Sequence, residues 1–268
     1  MTQHITGSIY DYPNVYDVLF SDTCQAEVAF LIAVFEYFGN GNVTSVFEPA
    51  SGSGRLLYQL AKLGYTVTGL DLNAKSIAFC NRRLRRRGFP ASAHVGNMAS
   101  FSLADLGRKK KKFDAAFNLV SSFLHLTTEA DAQQHLHAVA DVLKPGGIYL
   151  LGIHLKPKGK QHCLQESWSL RRGLLSVKSH LKSLSQDLKQ RVEMIEVRIE
   201  AETPKKSYTI VDRFPFRIYT AKQFSDLLAA VNRFDVLETY SFEYDVSRPT
   251  NVTADAEDVV YVLKLIEP

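Results

Sequence analysis

The sequence predicts a doubly wound α/β fold, and three observations carry that reading. Up to residue 155, apolar strand-like runs alternate with helix-periodic segments. The runs are apolar on both faces, as strands of a parallel sheet covered by helices on both sides must be. A turn holding Gly52 and Gly54 joins the first such run to the helix after it. Right-handed crossovers between parallel strands then wind helices over both faces.

Taken in order, VTSVFEP (43–49) reads as the first strand of the core. Leu56, Leu60 and Leu63 repeat at helical spacing, and Gly64 is placed to end that helix. YTVTGLDL (65–72) is the next strand. Ile77, Cys80 and Leu84 mark the helix after it, which stops near Gly88. SAHVGNM (92–98) and FDAAFNLVSS (113–122) are further strands. A helix over Asp131–Leu143 meets Lys144-Pro145-Gly146-Gly147, a strong stop, before the strand IYLLGIHL (148–155).

After Lys156 the pattern changes. Val197, Ile199 and Ala201 alternate with Glu196, Arg198, Glu200 and Glu202, which is period two with one wet face. SYTIVDRFPFRIY (207–219) reads as a partner strand across a turn at 203–206. Helical spacing resumes after Thr220 with Phe224, Leu227, Leu228 and Val231, and closing strands follow near 235–244 and 258–266. The expected organisation is a single domain over 1–268. Residues 1–40 are a helical cover, 41–156 a ligand-binding core, 157–219 an antiparallel β insertion over the acceptor side, and 220–268 the end of a seven-stranded, mostly parallel sheet.

Composition narrows the class. Lys and Arg total 32 against 28 Asp and Glu, a net charge of +4, with 46% hydrophobic residues over a length of 268. That excludes collagen-like and disordered classes and allows a sizeable core. Cys24, Cys80 and Cys163 form no CxxC pair, so neither a metal site nor a disulfide framework is expected, and a reducing cytoplasm is the expected location. The polar opening MTQHITGSIYDYPN has no apolar signal region. The most apolar stretch, Ala26 to Phe38, is interrupted by Glu36 and too short for a bilayer, so no membrane partner is expected. Two basic runs, Arg82–Arg87 and Arg108–Lys112, read as a solvated helix face and a charged loop; a nucleic-acid contact is the alternative.

The chemistry-bearing segment is Val46-Phe-Glu-Pro-Ala-Ser-Gly-Ser-Gly-Arg55. Its glycines permit a tight strand-to-helix turn and close approach of a ligand to the backbone. The turn lies at a strand carboxyl end, where open α/β sheets bind ligands. The dinucleotide fingerprint fails, because Leu57 stands where a third Gly or Ala is needed, and Gly54-Arg55-Leu56 does not end a phosphate loop. Glu48 before the turn would repel a pyrophosphate and suit a cation. Asp71, ending the next strand, can accept from vicinal ribose hydroxyls. The plainer reading is that both acids cap neighbouring amides. Together they suggest an adenosine with a positive tail.

EPASGSG followed by GLDLN resembles the first two motifs of class I S-adenosylmethionine-dependent methyltransferases. His94-Val95-Gly96-Asn97-Met98 resembles the adenine segment, with Asn97 where that family more often has Asp. FDAAFNLVSSFLHL (113–126) resembles the fourth motif, and LKPGG (143–147) the turn into the fifth strand. The resemblance covers about 43–155 and implies a Rossmann-like methyltransferase sheet with S-adenosylmethionine as cofactor and S-adenosylhomocysteine as product. It implies that Glu48, Ala50, Gly52 and Gly54 surround the methionine part. Asp71 and Leu72 would hold the ribose, Asn97 and Met98 would line the adenine, and the backbone around Asn118 would accept from the methionine amino group.

Methyl transfer from a sulfonium is an in-line displacement in which positioning supplies much of the rate. A hydroxyl acceptor needs a base, commonly His; an amine must arrive unprotonated. His125, after the fourth strand, is the candidate base or orienting group, or else a helix cap. His154, ending the fifth strand, is a lesser candidate. Tyr10, Tyr12 and Tyr16 give more phenols than a packing helix needs. "VYDVLF" resembles the opening of amino-sugar and glycine/sarcosine N-methyltransferases, which implies that Tyr16 lies near the methionine end. Insertion residues Trp168, Arg171, Arg213 and Arg217 are candidates for the acceptor pocket, against core packing or solvation. Nucleobase amine methylation is disfavoured by Asn118-Leu119-Val120-Ser121, and a cytosine-C5 mechanism by the lack of a Pro-Cys pair. The expected function is N- or O-methylation of a small-molecule acceptor. An RNA or protein methyltransferase and a non-catalytic cofactor-binding scaffold are the alternatives. Acceptor identity and oligomeric state depend on surfaces that carry no sequence signature.

Overall fold

The computed structural model describes residues 3–39, 41–158 and 165–266. Cys163 and the stretch 159–164 of the expected insertion lie outside them. From the amino end the chain forms β1 (Gln3–Thr6), a 3-10 turn (Ile9–Asp11), α1 (Pro13–Leu19) and α2 (Cys24–Phe38). Then follow β2 (Ser45–Pro49), α3 (Arg55–Lys62), β3 (Thr66–Asp71), α4 (Ala74–Arg85), β4 (Ala93–Val95) and β5 (Phe113–Asn118). A 3-10 turn (Ser122–His125) leads to α5 (Glu129–Val142) and β6 (Leu143–His154). The remainder is β7 (Gln165–Arg172), β8 (Leu175–Asp187), β9 (Val192–Thr203), β10 (Lys206–Arg217), α6 (Ala221–Val231), β11 (Phe234–Tyr240) and β12 (Asp258–Leu265).

A seven-stranded sheet runs in the order β11-β12-β6-β5-β2-β3-β4. Strands β6, β5, β2, β3 and β4 are mutually parallel, and β12 is antiparallel to both β6 and β11. Successive side chains leave opposite faces. Val46, Ala115, Phe117, Ile148, Leu150, Val260 and Val262 meet the apolar sides of α2, α3 and α4. Phe47, Ala116, Tyr149, Leu151, Val259 and Tyr261 meet α5 and α6. Each fully buried Leu, Val or Phe is worth about 1.5–3 kcal/mol relative to exposure. This two-sided burial explains why the core strands are apolar throughout. Local signals set the helix starts: Asn73 Oδ1 accepts from Ser76 N, Thr128 Oγ1 from Asp131 N, and Thr220 with Gln223 forms a capping box. The order of strands reverses between β2 and β5, so a crevice opens at their carboxyl ends.

The second sheet runs β1-β10-β9-β8-β7. Its buried face, with Val177, Ile195, Val197, Ile199, Ala201 and Ile210, packs on Ile9, Val15, Val18 and Leu19. Two expectations change here. The first forty residues are not one helical cover. Residues 3–6 are a strand parallel to β10, α1 packs on the second sheet, and α2 packs beneath the main sheet away from the crevice. The block after Lys156 also holds two strands, β7 and β8, without a sequence signal. Most of their side chains are exposed; a short apolar stripe, Trp168 and Leu170 on β7 with Leu175, Val177 and Leu181 on β8, packs on the α1 side, and ladder hydrogen bonds hold the rest.

His135 on α5 is fully buried against β6. Its Nδ1 lies 2.7 Å from the Met98 carbonyl and its Nε2 lies 2.8 Å from the Tyr149 hydroxyl. The carbonyl only accepts, so Nδ1 carries the proton and Tyr149 donates to Nε2. Burial lowers His135 from 6.5 to about 4. The unfolded chain therefore binds a proton that the native ring refuses between those values. The ring's contribution is full above pH 6.5 and lost as pH falls towards 4, on the order of 3 kcal/mol in all. In His135→Gln, urea unfolding at pH 7 and pH 4.5 should differ less than in the wild type. An identical pH difference in both proteins would remove His135 as the titrating group.

Candidate active site

The loop after β2 turns sharply on three left-handed residues: Ala50 at φ 56°, Gly52 at φ 52° and Gly54 at φ 67°. Ser51 N donates to Leu70 O at 2.9 Å and Gly52 N donates to Asp71 Oδ2 at 2.7 Å, so β3 holds the loop open. Above it lies a cavity of about 420 Å³. Of the residues expected to form a site, Tyr16, Glu48, Ala50, Gly52, Asp71, Leu72, Asn97, Met98, Asn118 and His125 all line it. Gly54 does not. A Cβ there would lie 2.1 Å from Cys80 Sγ, so Gly54 permits α3 to pack on α4 rather than a ligand to approach. At Gly52 the space on the cavity side is open, with only Tyr16 Cε1 at 3.9 Å.

The electrostatics are acidic. Glu48 is buried and its Oε2 has no partner among the described residues; burial pushes its carboxyl well above the usual range. Asp71 Oδ1 accepts from Asn73 N at 2.8 Å, so Asp71 does cap amides, through both oxygens. Burial nevertheless raises its pKa, against those two bonds. Each of its oxygens keeps a second lone pair. Asn118 Nδ2 donates to Pro49 O at 3.2 Å, while its Oδ1 and the Ser51 hydroxyl are buried without partners among the described residues. Arg55, the one Lys or Arg among the described residues that lines the cavity, is paired with Glu27, whose two oxygens accept from its two terminal nitrogens. A group carrying ammonium or hydroxyl donors satisfies these orphan acceptors; a phosphate does not.

At the other end of the cavity, the Tyr10 hydroxyl lies 2.8 Å from His125 Nε2. Phe214 and Phe216 of β10 close on the imidazole at centroid distances of 5.0 and 4.7 Å. Burial lowers His125 to about 4 and raises the Tyr10 phenol well above 10.0, so both are uncharged at neutral pH. Tyr16 stacks between Tyr10 and Phe20, at 5.5 and 4.6 Å, with its phenol pushed up to about 12 by burial. Asn97 Oδ1 accepts from Ala99 N at 2.9 Å, and Leu72 is 74% exposed at the rim.

The other candidates lie elsewhere. His154 pairs with Asp258 at 2.6 Å, outside the cavity lining. Trp168 Nε1 donates to Leu19 O, and Arg171 Nε donates to Gly173 O. Arg213 pairs with Glu196, and Arg217 with Glu129 and the carbonyls of Thr127 and Gln190. These four brace the second sheet. The Tyr10–His125 pair and the Glu27–Arg55 pair had no pattern linking their members, which are far apart in sequence. Their signals were a surplus phenol and one acid, Glu27, inside an apolar helix. Asn73, the last residue of the GLDLN segment, also lines the cavity, as does Ser8, which had no sequence signal.

Residues 46–147 match the family model described as a methyltransferase domain. The Bacillus subtilis protein YqeM is 27% identical over 109 residues, 41% of this chain and 42% of that protein. The dTDP-3-amino-3,6-dideoxy-alpha-D-glucopyranose N,N-dimethyltransferase of Streptomyces fradiae is 33% identical over 107 residues, 40% of this chain and 38% of that protein. The matched stretches thus span about two-fifths of both relatives. The crystal structure of Streptomyces venezuelae DesVI superposes with a TM-score of 0.74 at 18% identity, over 96% of this chain and 98% of that one, which establishes the shared fold.

The two glycines separate in a substitution test. Gly54→Ala should lose about 2–4 kcal/mol of stability from the clash and the left-handed strain, and adding Cys80→Ala should restore much of it. Gly52→Ala should cost about 1 kcal/mol and mainly narrow the cavity. Denaturant unfolding decides; a Gly54→Ala protein as stable as wild type would contradict the packing role.

Proposed function

We propose that this chain is an S-adenosylmethionine-dependent methyltransferase that methylates an amine nitrogen of a small acceptor. The observation that carries the reading is the set of orphan acceptors, Glu48 Oε2, Ser51 Oγ and Asn118 Oδ1, gathered beside Asp71 on one cavity. S-adenosylmethionine has an ammonium, a sulfonium and two ribose hydroxyls to offer them. When bound, it supplies an electrophilic methyl group: the carbon–sulfur bond breaks as the nitrogen–carbon bond forms, and sulfur keeps the electron pair in S-adenosylhomocysteine.

The chain's own residues bind and orient. Glu48, Ser51 and Asn118 hold the amino-acid end, with Gly52 and Ala50 giving close approach. Asp71 takes the ribose hydroxyls, and Leu72, Asn97 and Met98 flank the base. Tyr16 covers the methionine end and excludes water. Tyr10 and His125 position the acceptor atom. His125 Nε2 is shared with the Tyr10 hydroxyl and burial holds the ring neutral, so the pair suits orienting an amine that already has its lone pair better than taking a proton from an alcohol. A carboxylate acceptor is disfavoured, because the cavity's Arg55 is already bound by Glu27. The amino-sugar acceptor named for the Streptomyces fradiae relative fits this chemistry.

A nucleic-acid acceptor lacks support here, since the cavity is acidic and apolar at its acceptor end. No single described helix is long and apolar enough to cross a membrane. Buried free thiols at Cys24 and Cys80 support a reducing, cytoplasmic setting.

The test pairs calorimetry with turnover of methyl-labelled cofactor over a panel of amino sugars, other amines and matched alcohols. Amines should be labelled and alcohols spared. Asp71→Ala should weaken cofactor binding by about 10- to 100-fold through lost charge-assisted hydrogen bonds. His125→Ala should lower kcat by about 10- to 100-fold while cofactor affinity holds. Undetectable cofactor binding would defeat the reading, and labelling of alcohols alone would defeat its amine part.

A further inference from the structure

A second cavity of about 270 Å³ lies outside the site described above, on the face of α4 that meets α3. It is lined by Tyr58, Phe79, Arg82, Arg83, Arg86 and Arg87, with no acid among them. The two rings form its apolar part: the Arg82 and Arg83 guanidiniums lie 5.4 and 5.0 Å from the Phe79 centroid, and Arg83 lies 6.0 Å from that of Tyr58. Such contact with a ring face leaves the N–H edge of a guanidinium available to donate, as Arg83 does to Asp17.

The charges around this concavity are uneven. Arg83 pairs with the buried Asp17 at 2.5 Å. Arg82, Arg86 and Arg87 have no carboxylate partner among the described residues. One or two basic side chains in a last turn are enough to complement a helix dipole. Four on one face repel each other, and here they surround a hollow rather than point away from one another.

We propose that these residues form a second binding site, for a small anion carrying two linked phosphoryl groups. A single phosphoryl group carries at most two negative charges and leaves the third of these unpaired guanidiniums without a matching charge. A diphosphate has the charge and the oxygen count for Arg82, Arg86 and Arg87 together. The acidic cofactor cavity would reject the same ligand, so the two sites do not compete.

Calorimetric titration of the whole protein with inorganic pyrophosphate, in 0.15 M salt, tests this. Saturable binding of one equivalent is expected, weakened by about tenfold or more in Arg86→Ala/Arg87→Ala. Both side chains are exposed, so the fold should stand. The matched variant Lys109→Ala/Lys110→Ala removes equal charge from the other basic run and should bind as wild type does. Absence of saturable binding, equal weakening in both variants, or inorganic phosphate binding as tightly as pyrophosphate would each overturn the proposal. So would single-stranded RNA binding far more tightly with a steep salt dependence, which would make the pocket part of a nucleic-acid surface.

Discussion

Asp17 is the pin on which the architecture turns. Its side chain, on α1, is buried, and a buried carboxylate must be paired or it costs several kcal/mol. Three elements meet that need: Ser53 Oγ of the glycine loop donates to Oδ1 at 2.7 Å, and Arg83 of α4 and Arg172 of β7 both reach Oδ2. Burial raises the carboxyl's pKa, but the two guanidiniums outweigh it and hold the group below its usual value. One charge thus joins the amino-terminal segment, the ligand loop, the main sheet's helical layer and the second sheet. The floor and the wall of the cavity are set relative to each other by that junction. Tyr10 and Tyr16 reach the cavity because the segment carrying them is anchored at its middle.

A second acid–base arrangement sets the chemistry. Glu27 lies in an apolar helix with no exposure and takes both edges of Arg55. Arg55 would otherwise neutralise Glu48 across the loop. With both guanidinium edges committed to Glu27, Glu48 Oε2 keeps no hydrogen-bond partner among the described residues, and only a through-space attraction to Arg55 works against the effect of its burial. If the cavity takes a positively charged nucleoside, as proposed, its selectivity depends in part on Glu27, which does not line the cavity.

The core strands were legible because each is buried on both faces, so apolar runs mark them whatever lies around them. The site's loop was legible because a glycine-bearing turn flanked by acids at two strand ends has few physical meanings. Gly54 was misread for the same reason: a glycine at a ligand loop and a glycine under a neighbouring helix look alike in sequence, and only the position of Cys80 separates them. Strands β7 and β8 were hard to read because their buried stripe is short and interrupted by serines, with only Val177 and Ser179 fully buried. Arg83 was read with a solvated face, although it turns inward to Asp17, since an arginine's long stem lets it leave the face its position suggests.

The sequence alone determined the alternating strands and helices of the core between Ser45 and His154, and the two acids, Glu48 and Asp71, at the carboxyl ends of neighbouring strands. Those follow from local spacing and side-chain charge, which need no knowledge of distant contacts. Only the tertiary structure decided which histidine meets the cavity, which phenol pairs with it, and which arginines are spent on bracing. Tyr10 and His125 are 115 positions apart, and Asp17 and Arg172 are 155 apart. No periodicity reaches across such gaps; folding brings these partners together because a buried charge or ring nitrogen left unpaired is costly.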